Sequence, residues 1–253
     1  MTDSKTLAYI NMYAVLGTLE NLCELDDKAR EIISGLKKPV SLAFEVKDGP
    51  AATITFSSTG CRMEDGVNAC DIKIPVSSCE KFNKIIDGEA TPVPTKGLAK
   101  IGFLLNTFTA LTDRLTELMR PSEEALKDPD FFELSTVLTF YTISVALSQI
   151  GNKDAVGQAS ASYMVDGDIA FSIKNGPAAT IRVKDNHLVT IKKMPENPRA
   201  IMQFDSIQLA NDLFNGKINS LECVGRGTVE IRGMLSMADN MNRILDRVAL
   251  YLA

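Results

Sequence analysis

The residue types that most often do chemistry are sparse and scattered along this 253-residue chain. A catalytic histidine needs a nucleophile or a carboxylate beside it in a pocket, and the single histidine, His187, follows the polar turn residues Asp185 and Asn186. A histidine in such a turn is normally solvated, so we expect no Ser-His or Cys-His relay. The carboxylates, Asp26 and Asp27 among them, are expected at the surface. No two of them lie together in an apolar segment, which is the environment that raises the pKa of one acid of a catalytic pair. We predict no catalytic residues and no enzyme activity.

Cysteines and glycines give no cofactor or metal motif either. Zinc sites use close cysteine pairs and histidines, and no Cys-x-x-Cys pair occurs here. We expect the five cysteines to be free thiols in a reducing compartment, and we predict no metal and no cofactor. The segment Gly225-Arg-Gly227 does not have the GxGxxG spacing of a dinucleotide loop, and it precedes a strand. The five cysteines are Cys23, Cys61, Cys70, Cys79 and Cys223.

Charge and hydropathy exclude further classes. The net charge of -5 argues against a nucleic-acid partner, because phosphate binding needs a clustered basic face. The N-terminal residues show no leader pattern, so a cytoplasmic location is the expectation. Residues 134–152 carry no charge over nearly the length that crosses a bilayer. Their many Ser and Thr side chains favour a buried helix over an integral membrane segment.

An internal repeat is the clearest pattern in the chain. Residues 41–54 and 168–181 are identical at nine of fourteen positions, and both end in Gly-Pro-Ala-Ala-Thr-Ile. Self-similarity at a fixed separation indicates a duplicated structural unit. We predict one domain at residues 1–120, a polar linker at 121–130, and a second domain at 131–253.

Each copy reads as an α+β unit in which helices cover a mostly antiparallel five-stranded sheet. Hydrophobic alternation around Asp48-Gly49 and Asn175-Gly176 predicts hairpins, with positive φ expected at both turn residues. Ser77 and Asp205 are the expected N-caps of a short helix in each copy. The predicted helices are 6–23, 79–87 and 103–119 in the first copy and 131–150, 207–215 and 234–250 in the second. The later predicted strands are 72–76, 98–101, 188–192, 200–204 and 228–232.

The glycines after the second short helix carry a family resemblance. The second copy has three features in order: Gly216-Lys-Ile218, the strand Gly227–Gly233 and an amphipathic helix. In this order the segment resembles the sterol carrier protein 2 (SCP2) sterol-binding domain family. The resemblance implies a five-stranded sheet under helices, with an apolar tunnel that takes sterols, acyl chains or similar lipids. The first copy departs from it, because Glu89 follows Gly88 and the segment Gly97–Gly102 is shorter.

The closing helix of the second copy supplies the candidate ligand residues. Methionines recur there at spacings of three and four, which is typical both of an ordinary core face and of an adaptable binding surface. Arg226 and Arg232 alternate with apolar strand residues, and they lie either at a tunnel mouth or on the solvent face. The predicted ligand-contacting residues are Phe204, Leu209, Leu213, Phe214, Val229, Ile231, Met234, Met237, Met241 and Leu245.

Two functions remain open from the sequence. The first is a soluble, non-catalytic carrier that binds a hydrophobic small molecule such as a fatty acid or sterol. The second is a non-catalytic scaffold or accessory subunit of a lipid- or quinone-pathway enzyme, with a homodimer as one form. A continuous cavity favours the carrier, and filled cores with exposed apolar surface favour the scaffold.

Overall fold

The computed structural model describes residues 2–218, 223 and 225–252. Its chain contacts divide it into two compact units, Asp3–Leu134 and Ser135–Ala253. Each unit has helices and one sheet, so the predicted α+β class is confirmed. The first and last residues of the predicted domains, Met1 and Ala253, lie outside the described residues.

The first unit starts with a long, irregular helical segment and ends with another. Its α-helices are α1 (Ser4–Tyr9), α2 (Leu19–Leu25), α3 (Asp27–Ser34), α4 (Cys79–Ile86) and α5 (Thr109–Met119). π-helical turns at Ile10–Val15 and Phe103–Phe108 and 3₁₀ turns at Leu16–Thr18, Leu98–Lys100 and Ala125–Lys127 complete its helical part. Its strands are β1 (Val40–Val46), β2 (Ala51–Ser57), β3 (Gly60–Asp65) and β4 (Ile72–Val76). The sheet order is β3-β2-β1-β4, and only β1 and β4 run parallel.

The second unit repeats this order and adds a strand. Its helices are α6 (Pro129–Lys153, which begins in the first unit), α7 (Ala155–Ser162), α8 (Ile207–Phe214) and α9 (Leu235–Leu252). Its strands are β5 (Gly167–Ile173), β6 (Ala178–Lys184), β7 (His187–Ile191), β8 (Ala200–Phe204) and β9 (Val229–Gly233). The order β7-β6-β5-β8-β9 gives the five-stranded, mostly antiparallel sheet that the sequence predicted.

The fifth strand is reduced to a single bridge in the first unit, and the predicted strand at 98–101 is wrong. Leu98–Lys100 is a 3₁₀ turn, and the segment before it meets β4 through one bridge between Lys73 and Lys96. Pro92 and Pro94 lie in that segment and cannot donate to a ladder. We infer that the first copy keeps the position of the fifth strand but retains only the hydrogen bonds of this bridge.

Two glycines fix the equivalence of the copies at this edge. Gly97 and Gly233 both have positive φ, 87° and 83°. A Cβ atom would lie 2.4 Å from the Asp71 carbonyl oxygen at Gly97 and 2.2 Å from that of Arg199 at Gly233. Because the contacted residues immediately precede β4 and β8, Gly97 corresponds to Gly233 and not to the first glycine of the strand motif.

The hairpin turns differ from the expected geometry. Asp48 and Asn175 have positive φ, but Gly49 and Gly176 do not. Gly49 is instead required by a close approach, since a Cβ there would lie 2.7 Å from the Cys79 sulfur. Helix caps also shift by one residue, because Ser78 and Ser206 accept from the backbone N–H groups of α4 and α8 in place of Ser77 and Asp205.

Among the described helices, α6 is the one that is long and apolar enough to cross a membrane, by length and composition alone. Of its most apolar 18-residue stretch, 56% is buried within the protein. Its buried positions include Thr142 and Ser144, whose hydroxyls donate to carbonyls one turn earlier, at Leu138 and Phe140. These bonds satisfy the hydroxyl groups locally, which allows polar side chains to occupy a buried helix.

Candidate functional site

The predicted ligand residues lie on β8, α8, β9 and α9 of the second unit. In the register between β8 and β9, Phe204 is opposite Val229 and Met202 is opposite Ile231, so these side chains share one face of the sheet. Phe204 and Val229 are buried, and Ile231 is half-buried near the sheet edge. The ring of Phe214 on α8 lies 5.5 Å from the ring of Phe204 in an edge-to-face arrangement.

Helix α9 places its methionines in the core. Met237 and Met241 have no exposed surface, while Met234 precedes the helix and is half-buried. Leu245 is half-buried as well, because Ile244 takes the fully buried position one residue earlier. Leu209 and Leu213 on α8 are also half-buried. The predicted set therefore divides into four buried residues and six at the margins of the helix–sheet interface.

Sequence reasoning missed two features of this interface. One is the row of aromatic rings Phe140, Phe171 and Phe204, in which Phe140 stacks on Phe171 with ring centroids 4.9 Å apart. The other is Asn240 on α9, whose side chain is buried with a relative exposure of 7%. Its amide nitrogen donates to the Ser236 carbonyl at 2.8 Å, but Oδ1 accepts from no group among the described residues. The spacing of apolar residues predicts which face of a helix is buried, but it does not indicate that a polar residue such as Asn240 lies on that face.

An open groove of about 720 Å³ lies along β9. Val229 and Ile231 are the two predicted ligand residues that line it. The charged side chains at its rim are paired, since Lys174 contacts Asp205 at 3.1 Å and the Arg232 Nε donates to Glu230 at 2.6 Å. Arg226 and Arg232 are exposed, which agrees with a solvent face.

Two buried carboxylates were expected at the surface, and this expectation was wrong. Asp26 caps α3 and accepts two hydrogen bonds from Arg114, at 2.9 and 3.0 Å. Asp154 caps α7 and accepts from Arg247 at 2.7 Å and from the Tyr251 hydroxyl at 2.8 Å.

Their hydrogen bonds decide how these carboxylates titrate. Burial raises the pKa of each carboxyl, but the bonds from arginine and backbone outweigh it and hold the pKa below its usual value. Both groups are therefore ionised anchors for the closing helices, which is the opposite of a general acid.

The remaining candidates for chemistry lie apart. His187 is exposed, with Nε2 3.4 Å from the Asn152 amide nitrogen. Within the described part of the chain, no group of three or more His, Cys, Asp or Glu side chains is placed to hold a metal ion. Nothing in the described residues brings a nucleophile and a base together at the α9 interface.

Comparison with known proteins finds solved structures that are similar to part of this chain. No protein-family model and no curated protein matches it. The sterol carrier protein domain 2 of Helicoverpa armigera is 19% identical, with a TM-score of 0.36 over 44% of this chain and 88% of that one. Sterol carrier protein 2 from Yarrowia lipolytica is 17% identical, with a TM-score of 0.30 over 40% of this chain and 92% of that one. A ubiquinone synthesis protein, UbiJ-SCP2, is 9% identical, with a TM-score of 0.33 over 42% and 95%. The names of these three structures refer to sterol carrier protein or to SCP2.

Proposed function

We propose that the second unit binds an apolar molecule between α9 and its sheet and carries it without a chemical step. The resemblance of Gly216–Gly233 to the SCP2 family supports this proposal, and so does the five-stranded sheet under helices that the resemblance implied. The ligand residues that we propose are the ten predicted from the sequence, together with Asn240.

Asn240 is the observation that carries the proposal. A buried carbonyl oxygen without a donor costs roughly 1–3 kcal/mol, so a protein keeps one where something else satisfies it. A hydroxyl or N–H group on a ligand would do so. The ligand class is therefore a largely apolar molecule with one hydrogen-bond donor, such as a sterol or a long-chain alcohol.

The side chains around this position suit such a ligand. Met237 and Met241 are unbranched and flexible, and methionine adapts readily to apolar surfaces of different shape. These side chains fill the interface when no ligand is bound, so binding requires them to repack and α9 to shift outward. Each square ångström of apolar ligand surface removed from water contributes about 25 cal/mol.

Titration with a fluorescent sterol and with its acetate ester, which lacks the donor, tests this function. We expect wild-type protein to bind the free sterol about tenfold more tightly than the ester, because one net hydrogen bond is worth about 1.4 kcal/mol. Met237→Glu should abolish binding of both. Asn240→Leu should remove the preference without lowering the melting temperature.

Asn242→Leu, on the same helix but half-exposed, is the matched control and should behave as wild type. Failure of wild-type protein to bind either compound, with no lipid retained in native mass spectrometry, would reject the carrier function. Equal binding of both compounds would reject the role of Asn240 but not the carrier function.

Two observations favour the scaffold as a second candidate: the filled interface under α9 and a row of exposed apolar side chains. Leu98, Ile101 and Leu105 recur at helical spacing in the first unit with relative exposures of 67%, 38% and 67%. Exposed apolar side chains in a row often mark a protein interface. For this candidate we propose a second copy of the chain as the partner, and the subunit count from the same native mass spectra decides it.

A further inference from the structure

The first unit holds a pair of cysteines that the proposed function does not use. Cys23 on α2 is fully buried, and Cys61 on β3 is half-buried. In the register of β2 and β3, Cys61 is opposite Phe56, so its side chain is on the sheet face that packs against the helices.

Neighbouring contacts hold the two cysteines against each other. Glu20, one turn before Cys23, accepts from the backbone N–H of Met63 at 2.8 Å. Gly17, one turn further back, lies against the same residue, since a Cβ there would be in van der Waals contact with the Met63 sulfur at 3.7 Å. Helix α2 therefore runs along β3 in a fixed register, and this register brings Cys23 to Cys61.

A hydrogen bond from the Cys61 thiol lowers the pKa of the Cys23 thiol below its usual value, against the opposing effects of burial and of the Asp26 charge. A thiolate is the form that attacks a disulfide, and the Cys23 thiolate is also the group that can take the proton of Cys61. Cys79 is the contrasting case, because burial raises the pKa of its thiol.

A small oxidant has access to the pair from one side. Cys61 lies on the edge strand β3 and is half-buried, so its side chain keeps some exposed surface. Cys23 is behind it and has no exposed surface. The reacting thiol is thus Cys61, and Cys23 is placed to resolve the product.

We propose that Cys23 and Cys61 are a site of reversible oxidation by low-molecular-weight disulfides. Cys61 gives its proton to the Cys23 thiolate, attacks the disulfide, forms a mixed disulfide and releases one thiolate, which takes that proton from Cys23. The Cys23 thiolate then attacks the Cys61 sulfur, closes the Cys23–Cys61 bond and releases the second thiolate. The two protons of the protein thiols pass to the two released thiolates, so the protein loses two electrons and the small disulfide gains them.

Peptide mapping of the full chain after treatment with glutathione disulfide tests the site. Cleavage after lysine and arginine separates Cys23 in peptide 6–28 from Cys61 in peptide 48–62, and it leaves Cys70 and Cys79 in peptides 63–73 and 74–81. We expect peptides 6–28 and 48–62 to be linked without reduction and separate after it. The oxidised protein should melt about 5 °C higher, because the bond constrains the unfolded chain.

Single variants assign the order of steps. Cys23→Ala should stop at one glutathionyl group on Cys61, and Cys61→Ala should leave Cys23 unreacted. Cys79→Ser is the matched control and should oxidise as wild type does. A mixed disulfide that persists on Cys61 in wild-type protein, a link to Cys70 or Cys79, or no reaction at all would overturn the proposal. The outcome does not depend on whether the second unit binds a ligand.

Discussion

The two buried aspartates, Asp26 and Asp154, have the same structural role in the two copies of the repeat. Asp26 and Asp154 are equivalent in the repeat. Each caps the helix that precedes the first strand of its unit and accepts from an arginine of the closing helix. The pairs are not identical. Arg114 donates through two nitrogens, whereas Arg247 shares Asp154 with the Tyr251 hydroxyl and its Nε has no partner among the described residues.

Acid should weaken these anchors. The pKa of each carboxyl is depressed in the folded state, so the ionised form stabilises the fold above about pH 4, the unfolded value. That stability is lost as the pH falls below about 4 and through the folded pKa. At pH 7 we expect Asp154→Ala to lower the free energy of unfolding by about 3 kcal/mol, because the half-buried Arg247 loses its partner and α7 loses its N-cap.

Urea unfolding at pH 7 and at pH 3 measures this effect. The variant should lose less stability than wild type between the two pH values. Asp205→Ala serves as the control, since its ion pair with Lys174 is exposed and worth under about 1 kcal/mol. Equal pH dependence in wild type and Asp154→Ala would contradict the assignment.

At the scale of elements, the sequence predicted strands better than helical detail. Strands β4 and β8 match their predicted bounds because each is a short apolar alternation that ends before a helix cap. The π turns at Ile10–Val15 and Phe103–Phe108 were not predicted, since an apolar pattern fixes which face of a helix is buried but not where the backbone takes up an extra residue.

The candidate site was predicted only in part for a related reason. Spacings of three and four placed Met237 and Met241 correctly on one face of a helix, but they did not tell Ile244 from Leu245. Asn240 Oδ1 has no hydrogen-bond donor among the described residues. This depends on how the surrounding side chains pack, which no pattern along the sequence predicts.

The missing fifth strand of the first unit has a backbone cause that can be reversed. Lys73 on β4 donates to the Lys96 carbonyl, so the residue two places along, Pro75, faces the same edge without an N–H group. Pro94 likewise cannot donate. The equivalent residues of the second unit are Gln203 and Glu230, which are directly opposite each other in the sheet.

We therefore expect the double variant Pro75→Gln, Pro94→Glu to form the strand. The check is hydrogen exchange, which should slow at the two new amides by about tenfold or more relative to an exposed chain. Pro92→Ala alone is the control and should leave the exchange of its neighbours unchanged. Fast exchange at both new amides would show that the prolines are not what limits the strand.

At the scale of the whole molecule, each copy has a sheet and a core of its own. The residues of the first core include Phe44, Phe56 and Phe82, and those of the second include Phe140, Phe171 and Phe204, all with 2% exposure or less. A domain of about 120 residues buries roughly two-thirds of its unfolded surface, which is enough for independent folding. The domain boundaries remain our proposal, and the start of α6 at Pro129 suggests where to separate the copies.

Residues 129–253 expressed alone should fold and should reproduce the ligand binding of the full chain. We expect a cooperative urea transition by circular dichroism and a radius of gyration of about 14 Å. The full chain is the control. Oxidation of Cys23 and Cys61 should raise the urea midpoint of the first unit's transition. It should leave unchanged the midpoint of the transition that the fragment also shows. A fragment that binds a hydrophobic dye and unfolds without cooperativity would mean that the duplicated sequence makes one folding unit, and that α6 needs cover from residues before Pro129.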